Sequence, residues 1–233
     1  MIRIAFCSIL ACMISLAGAA PGASTEGKTL RIVLAGDSTV TDSHGWGGAI
    51  GAYFNDDVVI LNHAAGGRSS KSYINEGRLA KALASKPDYL FIQFGHNDCP
   101  GKGPKRETDP DTTYRTWMTK YVTGARKVGA RPVFITSVER RCFDKNGKTT
   151  GSLNRYAQAV IELGKQLNVP VIDLHKRSVE LYERLGEAKC HELEPKGDRT
   201  HFNKKGAKVI AGLIAEEIPG SVPALAPYLK QQD

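Results

Sequence analysis

Five short apolar runs, separated by longer amphipathic segments, constrain the fold of this chain more than any other feature. The runs cover residues 30–35, 58–61, 89–94, 132–136 and 169–174. Because they do not alternate strictly between apolar and polar residues, they are typical of strands buried on both faces. Strands separated by helices are joined by right-handed crossovers, which place them parallel in one sheet. We therefore expect a five-stranded parallel sheet.

Helical patterns fill the segments between these runs. Within residues 111–128, apolar side chains recur at the spacing of one helix face, at Tyr114, Trp117, Met118, Tyr121, Val122, Ala125 and Val128. Residues 153–167 repeat the pattern, and Asn203 is predicted to cap a final helix. A chain of 233 residues suffices for one domain with a substantial core and hardly for two. The sequence thus predicts a single three-layer α/β/α domain with a five-stranded parallel sheet.

The first twenty residues have the composition of an export signal. Arg3 is the only charged side chain before the uncharged stretch 4–16, and small residues follow at 17–20. We predict a signal peptide over residues 1–19 and one domain over residues 20–233, so the mature protein is expected to be secreted or periplasmic. The stretch is too short to span a bilayer, which takes about 20 residues. A retained anchor, a buried first helix and a lipoprotein cleaved before Cys12 remain alternatives.

Charge and cysteine content limit the expected partners. The formal net charge is +8, but Lys and Arg are scattered and form no dense or aromatic-interleaved strip of the kind that binds nucleic acid. We expect neither nucleic-acid binding nor stable membrane association, and an acidic substrate stays open. Without the signal peptide, Cys99, Cys142 and Cys190 remain, which permits one disulfide of undetermined pairing and a free thiol. The sequence does not determine the oligomeric state.

Polar and glycine-rich stretches follow four of the predicted strands directly. They cover residues 36–38, 62–69, 95–98 and 137–141. In parallel α/β sheets, ligands bind beyond the carboxyl ends of the strands. A functional site is therefore expected where these stretches meet.

Ser38 is the candidate nucleophile. It follows a buried strand and Gly36, so its hydroxyl can be presented openly, but a serine also needs a base that removes its proton. Asp198 precedes His201 by three residues, and on a single turn this spacing lets the carboxylate fix the imidazole tautomer. Nε2 is then free to face a nucleophile. The alternatives are a turn cap at Asp37 or Ser38 and a surface pair of Asp198 with His201.

Two further positions can donate hydrogen bonds to a developing oxyanion. Asn97, after the third run, carries an uncharged amide donor. Gly66 and Gly67, after the second run, allow close backbone approach to a ligand. Alternatively, Gly67 only makes a turn and Asn97 only bonds to the backbone.

Together these pieces resemble the SGNH, or GDSL, hydrolase superfamily. The pattern of that superfamily is Gly-Asp-Ser, a glycine, Gly-x-Asn-Asp and Asp-x-x-His, and the matching blocks here are Gly36-Asp37-Ser38-Thr39, Gly67, Gly95-His96-Asn97-Asp98 and Asp198-Arg199-Thr200-His201. Residues 65–73, followed by Glu76-Gly77-Arg78, are similar to a block of rhamnogalacturonan acetylesterases. The doubled glycine departs from the pattern, and the oxyanion amide is assigned to Gly67, the glycine next to Arg68.

The resemblance implies an esterase that removes acetyl groups from pectic rhamnogalacturonan and needs no metal or other cofactor. Ser38 would attack the acetyl carbonyl, His201 would take its proton and Asp198 would stabilise the imidazolium. The backbone N–H groups of Ser38 and Gly67, with the side chain of Asn97, would form the oxyanion hole. The expected partner is an acetylated acidic polysaccharide or oligosaccharide.

Five other side chains are candidates for substrate contacts. Arg68, Arg140 and Arg141 follow strand ends, where guanidinium groups can engage galacturonate carboxylates. Trp46 is a candidate for stacking on a sugar, and His96 lies in the same block as the candidate amide donor. The structural alternatives are surface ion pairs for the arginines, core packing for Trp46 and a positioning role for His96. No metal site is expected, because the Cys and His spacings match no zinc pattern.

Three other functions remain open. A lysophospholipase or thioesterase would keep the triad but needs an apolar acyl channel, and the sequence has no long Leu-, Phe- or Met-rich insertion. An esterase on another acetylated glycan, such as xylan, would differ in its substrate contacts. A non-catalytic glycan-binding protein has no need of Ser38, Asp198 and His201 together, so the sequence favours an enzyme.

Overall fold

The five apolar runs form five strands in the computed structural model, which describes residues 29–231. The strands are β1 (Leu30–Gly36), β2 (Val58–Asn62), β3 (Tyr89–Gln93), β4 (Arg131–Ile135) and β5 (Val171–Ile172). Their order across the sheet is β2-β1-β3-β4-β5, and every neighbouring pair is parallel. The predicted five-stranded parallel sheet is confirmed.

The strand order places a switch point in the middle of the sheet. The chain passes from β1 outward to β2, and then crosses back to β3 on the other side of β1. In open parallel sheets, ligands bind in the crevice at such a reversal, outside the carboxyl ends of the strands. The loops that follow β1 and β3 are therefore the expected walls of a site.

Alternating side chains of the central strands point into two separate hydrophobic cores, one on each face of the sheet. In β1, Ile32 and Leu34 point to one face, and Val33 and Ala35 point to the other, and all four are fully buried. β3 and β4 are split in the same way between the two cores. The expectation of burial on both faces is wrong for β2, which lies at the sheet edge and leaves Val59 exposed.

Helices cover both faces and complete the three predicted layers. The helices in the described residues are α1 (Gly47–Ile50), α2 (Ser70–Asn75), α3 (Arg78–Ala84), α4 (Thr113–Lys127), α5 (Asn154–Leu167), α6 (Leu174–Cys190) and α7 (Lys204–Ser221). One core takes side chains from α1, α6 and α7, and the other from α2 to α5. The predicted cap is confirmed, because the Asn203 side chain accepts the Gly206 N–H.

The predicted signal peptide, residues 1–19, and Cys12 within it lie outside the described residues. Between residues 29 and 231, Cys99, Cys142 and Cys190 are free thiols, so none of the pairings that the sequence left open is formed. No helix in this part of the chain is long and apolar enough to cross a membrane.

Candidate active site

Strand β1 delivers Ser38 to the carboxyl edge of the sheet. The strand ends at Gly36, and Ser38 begins a short 3₁₀ turn that runs to Val40. A Cβ added at Gly36 would lie only 2.4 Å from Cγ2 of Val40. The glycine thus permits a tight turn directly after the strand, and this turn brings the Ser38 hydroxyl beyond the strand end.

The three predicted triad residues meet in a hydrogen-bonded relay. His201 Nε2 lies 2.8 Å from Ser38 Oγ, and His201 Nδ1 lies 2.7 Å from Asp198 Oδ2. When Nδ1 donates its hydrogen to the carboxylate, Nε2 can accept the Ser38 O–H. Ser38 and His201 are 163 positions apart in the sequence, so it is the fold that brings them together.

Asp198 is fixed by the same turn that carries His201. Its Oδ1 accepts the backbone N–H groups of Thr200 and His201, both at 3.0 Å. Partial burial raises the pKa of Asp198, but these bonds and the His201 side chain outweigh it and lower the pKa to about 2. The carboxylate is therefore ionised throughout the neutral pH range, as stabilisation of an imidazolium requires.

Trp46 supports the serine turn from within the core. Its side chain is fully buried, and its indole N–H donates to Gln93 Oε1 at 3.0 Å. The Gln93 amide donates to Thr39 Oγ1 at 2.8 Å, and the Thr39 hydroxyl donates to Asp37. The predicted stacking of Trp46 on a sugar is wrong, because the indole is enclosed by the core and finds its hydrogen-bond partner at the end of β3.

The loop after β2 places two glycines beside Ser38. A Cβ at Gly66 would lie 3.7 Å from Ser38 Cβ, and Gly67 has a φ of 75°, a left-handed conformation that favours glycine. The Asn97 side chain reaches this loop and donates to the Arg68 carbonyl at 3.3 Å. An amide has two N–H donors, so a second can serve a substrate oxygen. Ser38, Gly67 and Asn97 thus share one corner of the sheet edge, and their role as an oxyanion hole stays a prediction.

The carboxylate of Asp98 ties the glycine loop to the loop that carries Asn97. It is buried and accepts the Ser70 N–H, the Ser70 hydroxyl at 2.6 Å and the Thr108 hydroxyl at 2.8 Å. Burial raises the pKa of Asp98 to about 7, although the Ser70 and Thr108 donors oppose the rise. Since Ser70 begins α2 only three residues after Gly67, this bond network sets the spacing between the two candidate oxyanion donors.

Replacing Asn97 by alanine is expected to lower kcat by roughly 10²- to 10³-fold, or about 2.7–4 kcal/mol, with a small change in KM. The amide donor would act on charge that develops in the transition state, so its loss should raise the barrier more than it weakens substrate binding. Steady-state kinetics on p-nitrophenyl acetate measure both constants. The exposed turn residue Asn146 gives a matched control, since Asn146→Ala removes an amide whose contact is with Asp144. A change in kcat below threefold for Asn97→Ala would exclude the amide as an oxyanion donor.

Arg141 lies inside the protein rather than in a substrate cleft. Its side chain is 1% exposed, and its Nε donates to Glu194 Oε2 at 2.8 Å. Its Nη2 donates to the backbone carbonyls of Asp198 and His201. The predicted contact with a galacturonate carboxylate is therefore wrong, because Glu194 neutralises the guanidinium and substrate cannot reach it. Arg141 instead holds the turn that carries Asp198 and His201.

The other three candidate substrate contacts differ in exposure and charge. Arg68 Nε pairs with Glu76 at 3.0 Å, so its charge is compensated within the protein. His96 is 3% exposed and lies 3.6 Å from the buried carboxylate of Asp37, which favours the positioning alternative. Arg140 is half-buried, and its guanidinium forms no ion pair with a carboxylate in residues 29–231. The hydrogen bonds of this side chain go to the Ser152 hydroxyl and the His96 carbonyl, which are neutral.

His44, which the sequence did not single out, is a neighbour of His201. Its ring centroid lies 5.9 Å from that of His201, in an edge-on arrangement. Its carbonyl also accepts the Phe202 N–H at 3.0 Å. The loop between Ser38 and α1 therefore packs against the turn that carries Asp198 and His201. No sequence pattern links a lone loop histidine to this neighbour, because the contact arises only from the fold.

Metal-ligating side chains do not cluster in the part of the chain that the structure describes: it contains no group of three or more His, Cys, Asp or Glu residues arranged to hold an ion. Two of the histidines are instead hydrogen-bonded to other side chains. His201 bonds to Asp198, and His175 bonds to Asn154 at 2.7 Å.

Comparison with known proteins assigns a family. The sequence profile of the GDSL-like lipase/acylhydrolase family matches residues 25–209. A rhamnogalacturonan acetylesterase of Bacillus subtilis (strain 168) is 42% identical over 214 residues, which cover 82% of this chain and 90% of that protein. A rhamnogalacturonan acetylesterase of Emericella nidulans is 32% identical over 225 residues, covering 87% of this chain and 90% of that protein.

Solved structures share the fold at lower sequence identity. The protein YxiM of Bacillus subtilis superposes with a TM-score of 0.73 at 24% identity, covering 82% of this chain and 56% of that one. A catalytic mutant of an acetylxylan esterase from Geobacillus stearothermophilus gives a TM-score of 0.62 at 17% identity, covering 82% of this chain and 95% of that one. At this level of identity, the likeness concerns the fold alone and confirms the three-layer α/β/α architecture.

Proposed function

Since this chain belongs to the GDSL-like lipase/acylhydrolase family and is an ester hydrolase, we propose that it removes acetyl groups from the pectic polysaccharide rhamnogalacturonan. Ser38 is the proposed nucleophile, His201 the general base and Asp198 the residue that orients it. The observation that carries this proposal is the unbroken relay from Ser38 Oγ to His201 at 2.8 Å and from His201 to Asp198 at 2.7 Å.

The first half of the reaction acylates Ser38. Its Oγ attacks the acetyl carbonyl carbon while its proton passes to His201 Nε2, and the carbonyl oxygen becomes an oxyanion. The N–H groups of Ser38 and Gly67 and the Asn97 amide would stabilise that charge. As the tetrahedral intermediate collapses, His201 gives its proton to the sugar oxygen that leaves. Asp198 stays ionised and stabilises the imidazolium throughout.

The second half releases acetate. A water molecule transfers one proton to His201 Nε2 as its oxygen attacks the acetyl-Ser38 carbonyl, and the oxyanion occupies the same donors. Collapse of this intermediate expels the Ser38 oxygen, which takes the proton back from His201. Ser38 and His201 are then restored, and one water has been consumed for each acetate.

The pectic substrate is favoured by the relatives that resemble this chain over most of its length. Both are named rhamnogalacturonan acetylesterases, at 42% and 32% identity, whereas the acetylxylan esterase is similar at 17%. The net charge of +8 suits a substrate that carries uronate carboxylates. Such a polymer does not enter a cell readily, which agrees with the proposed removal of residues 1–19 during export to the periplasm or the medium.

Acetate release is the direct test of this function. The wild-type protein is expected to release acetate from acetylated rhamnogalacturonan with a kcat/KM at least roughly tenfold above that for acetylated xylan, a difference of about 1.4 kcal/mol in transition-state binding. Long-chain p-nitrophenyl esters should react more slowly than p-nitrophenyl acetate. Equal or faster hydrolysis of the long chains would instead indicate a lipase or thioesterase. A preference for xylan would overturn the pectic assignment and leave the acetylesterase chemistry intact.

A further inference from the structure

A cavity of about 730 Å³ opens between the loops that follow β3 and β4. Its wall includes Cys99, Lys102, Thr108, Arg140, Ser152 and Tyr156. Such a volume falls within the range of sites that hold small organic ligands. Ser38, Asp198 and His201 do not line the cavity, so it is separate from the triad, although both lie beyond the carboxyl ends of the strands.

The cavity adjoins the corner that holds the candidate oxyanion donors. Arg140 Nη2 donates to the carbonyl of His96 at 3.2 Å, and His96 directly precedes Asn97. Strand β3 separates β1 from β4 in the sheet. Neighbouring strands lie about 4.8 Å apart, so the loop after β4 begins roughly 10 Å from the loop that carries Ser38. This separation is short enough for one oligosaccharide to reach from Ser38 to the mouth of the cavity.

Arg140 presents to this cavity a positive charge that forms no direct ion pair within residues 29–231. Its Nη1 donates to the Ser152 hydroxyl at 2.9 Å, and its second bond is the one to the His96 carbonyl. Both acceptors are neutral, and no carboxylate between residues 29 and 231 lies within ion-pair distance of the guanidinium. These two bonds fix the planar group while other N–H donors stay available, which is the arrangement that suits recognition of a carboxylate.

The acidic groups near Arg140 are engaged elsewhere. The Glu139 carboxylate accepts the backbone N–H of Arg140, the Ser152 hydroxyl and the backbone N–H of Leu153. It makes no direct bond to the Arg140 guanidinium. Burial raises the pKa of the Cys99 thiol against the opposing effect of Arg140, so this neighbour is uncharged at neutral pH. Glu139 is fully buried and is not part of the cavity wall, so Arg140 is the charged group that this part of the wall presents.

The opposite rim of the cavity is acidic but internally bonded. Glu107 accepts the Gly103 N–H, and Asp109 accepts N–H groups at the start of α4. Arg155 pairs with Asp111 at 2.5 Å, so it offers no free charge. Lys102 is the second cation of the cavity without a carboxylate partner in the described residues. An anionic ligand would accordingly lie on the Arg140 side.

We propose that this cavity is a subsite for a uronate residue of the substrate chain, with Arg140 binding the uronate carboxylate and Lys102 adding to the positive field. The proposal rests on the function proposed above and specifies how the site would distinguish acidic from neutral glycans. A neutral chain such as xylan gains nothing from Arg140. The subsite thus supplies selectivity at a distance from the acetyl group, through binding of a part of the substrate that does not react.

The test compares acetylated rhamnogalacturonan oligosaccharides with the same oligosaccharides after reduction of their carboxyl groups to alcohols. For the wild type, kcat/KM should be higher on the acidic form. Arg140→Gln is expected to lower the acidic-to-reduced ratio of kcat/KM roughly tenfold, mainly through KM, because a charge-assisted hydrogen bond is lost. Arg140→Lys keeps the charge but not the planar guanidinium, so its acidic-to-reduced ratio should lie between those of the wild type and Arg140→Gln. Lys102→Gln should lower the ratio about threefold through the weaker field alone.

Arg126 provides the matched control. Its guanidinium also donates to neutral carbonyls, those of Leu167 and Asn168. It lies at the C-terminal end of α4, however, beside the amino ends of the strands and away from the cavity. Arg126→Gln should leave the ratio unchanged. If Arg140→Gln lowers kcat/KM equally on both forms, Arg140 only positions the His96 loop, and the subsite is excluded. An unchanged ratio in both Arg140→Gln and Lys102→Gln excludes it as well.

A binding measurement separates this proposal from the proposed function. Deacetylated rhamnogalacturonan oligosaccharides should inhibit hydrolysis of p-nitrophenyl acetate competitively, and their carboxyl-reduced forms should inhibit at least roughly tenfold less well. If the wild type fails to deacetylate rhamnogalacturonan, the proposed function fails, while inhibition by the acidic form alone still supports an acidic subsite. If the wild type deacetylates the acidic and the carboxyl-reduced oligosaccharides equally well, the proposed function stands and the uronate subsite is excluded.

Discussion

Replacing Ser38 by alanine is expected to lower kcat for acetate release by roughly 10⁴- to 10⁶-fold. The variant keeps the oxyanion donors and the base, but no acyl-enzyme can form. Only direct attack by water on the bound ester remains, and this pathway accounts for a small residual rate in hydrolases of this type. Acetate release from acetylated rhamnogalacturonan, measured at high enzyme concentration, covers the required range.

The fold should survive this substitution. The hydrogen bonds that hold the serine turn come from Asp37, which accepts the Thr39 N–H and hydroxyl, whereas the Ser38 hydroxyl bonds to His201. The melting temperature of Ser38→Ala should therefore stay close to that of the wild type. Ser43→Ala is a matched control, because Ser43 is exposed in the following loop and bonds to His44, and it should retain activity within about twofold.

Covalent labelling gives a second readout that does not depend on turnover. A serine-reactive phosphonate ester should add its mass to the wild-type protein at Ser38 and leave Ser38→Ala unmodified. If the alanine variant retained more than about 1% of the activity, or still carried the label, another residue would be the nucleophile. The relay at 2.8 Å would then have a structural role alone.

Elements with strong local periodicity were predictable from the sequence. The apolar run at 30–35 became β1, and the helical pattern at 111–128 became α4 over Thr113–Lys127. The run at 169–174 formed a strand only at Val171–Ile172, because β5 lies at the sheet edge and pairs with β4 alone. Helix α6 could not be predicted from one continuous apolar pattern, because Gly186, with a φ of 74°, interrupts its helical backbone.

The same difference between local patterns and distant contacts separates the site residues that the sequence placed correctly from those that it did not. The positions of Ser38, Asn97 and His201 at one end of the sheet were predictable, because each lies in a short motif at a strand end or a turn, where access is decided locally. Trp46 and Arg141 were misjudged because burial depends on distant partners. The indole bonds to Gln93, 47 residues away, and the guanidinium to Glu194, 53 residues away. No local pattern contains such pairings.

Arg141→Met is expected to lower the free energy of unfolding by about 3 kcal/mol, because it removes the buried cation of the Glu194 carboxylate and leaves that carboxylate only the half-exposed His191 ring as a side-chain partner. Both side chains of this pair are 1% exposed, so water cannot replace the lost partner. The substitution also removes the Nη2 donor of the Asp198 and His201 carbonyls. Urea unfolding measures the loss of stability. The matched control is Arg177→Met, whose ion pairs with Glu216 and Glu217 lie near the surface and should contribute at most about 1 kcal/mol.

A double variant separates stability from positioning. Replacing both partners of a buried ion pair by apolar residues is often neutral for stability, so Arg141→Met with Glu194→Leu should recover most of the lost unfolding free energy. It restores no donor to the two carbonyls of the catalytic turn, and kcat should therefore stay about 10- to 100-fold below that of the wild type. Recovery of both stability and kcat would reduce Arg141 to a counter-ion of Glu194. Recovery of stability alone assigns to Arg141 a second task, which is to hold Asp198 and His201 at the distance from Ser38 that proton transfer requires.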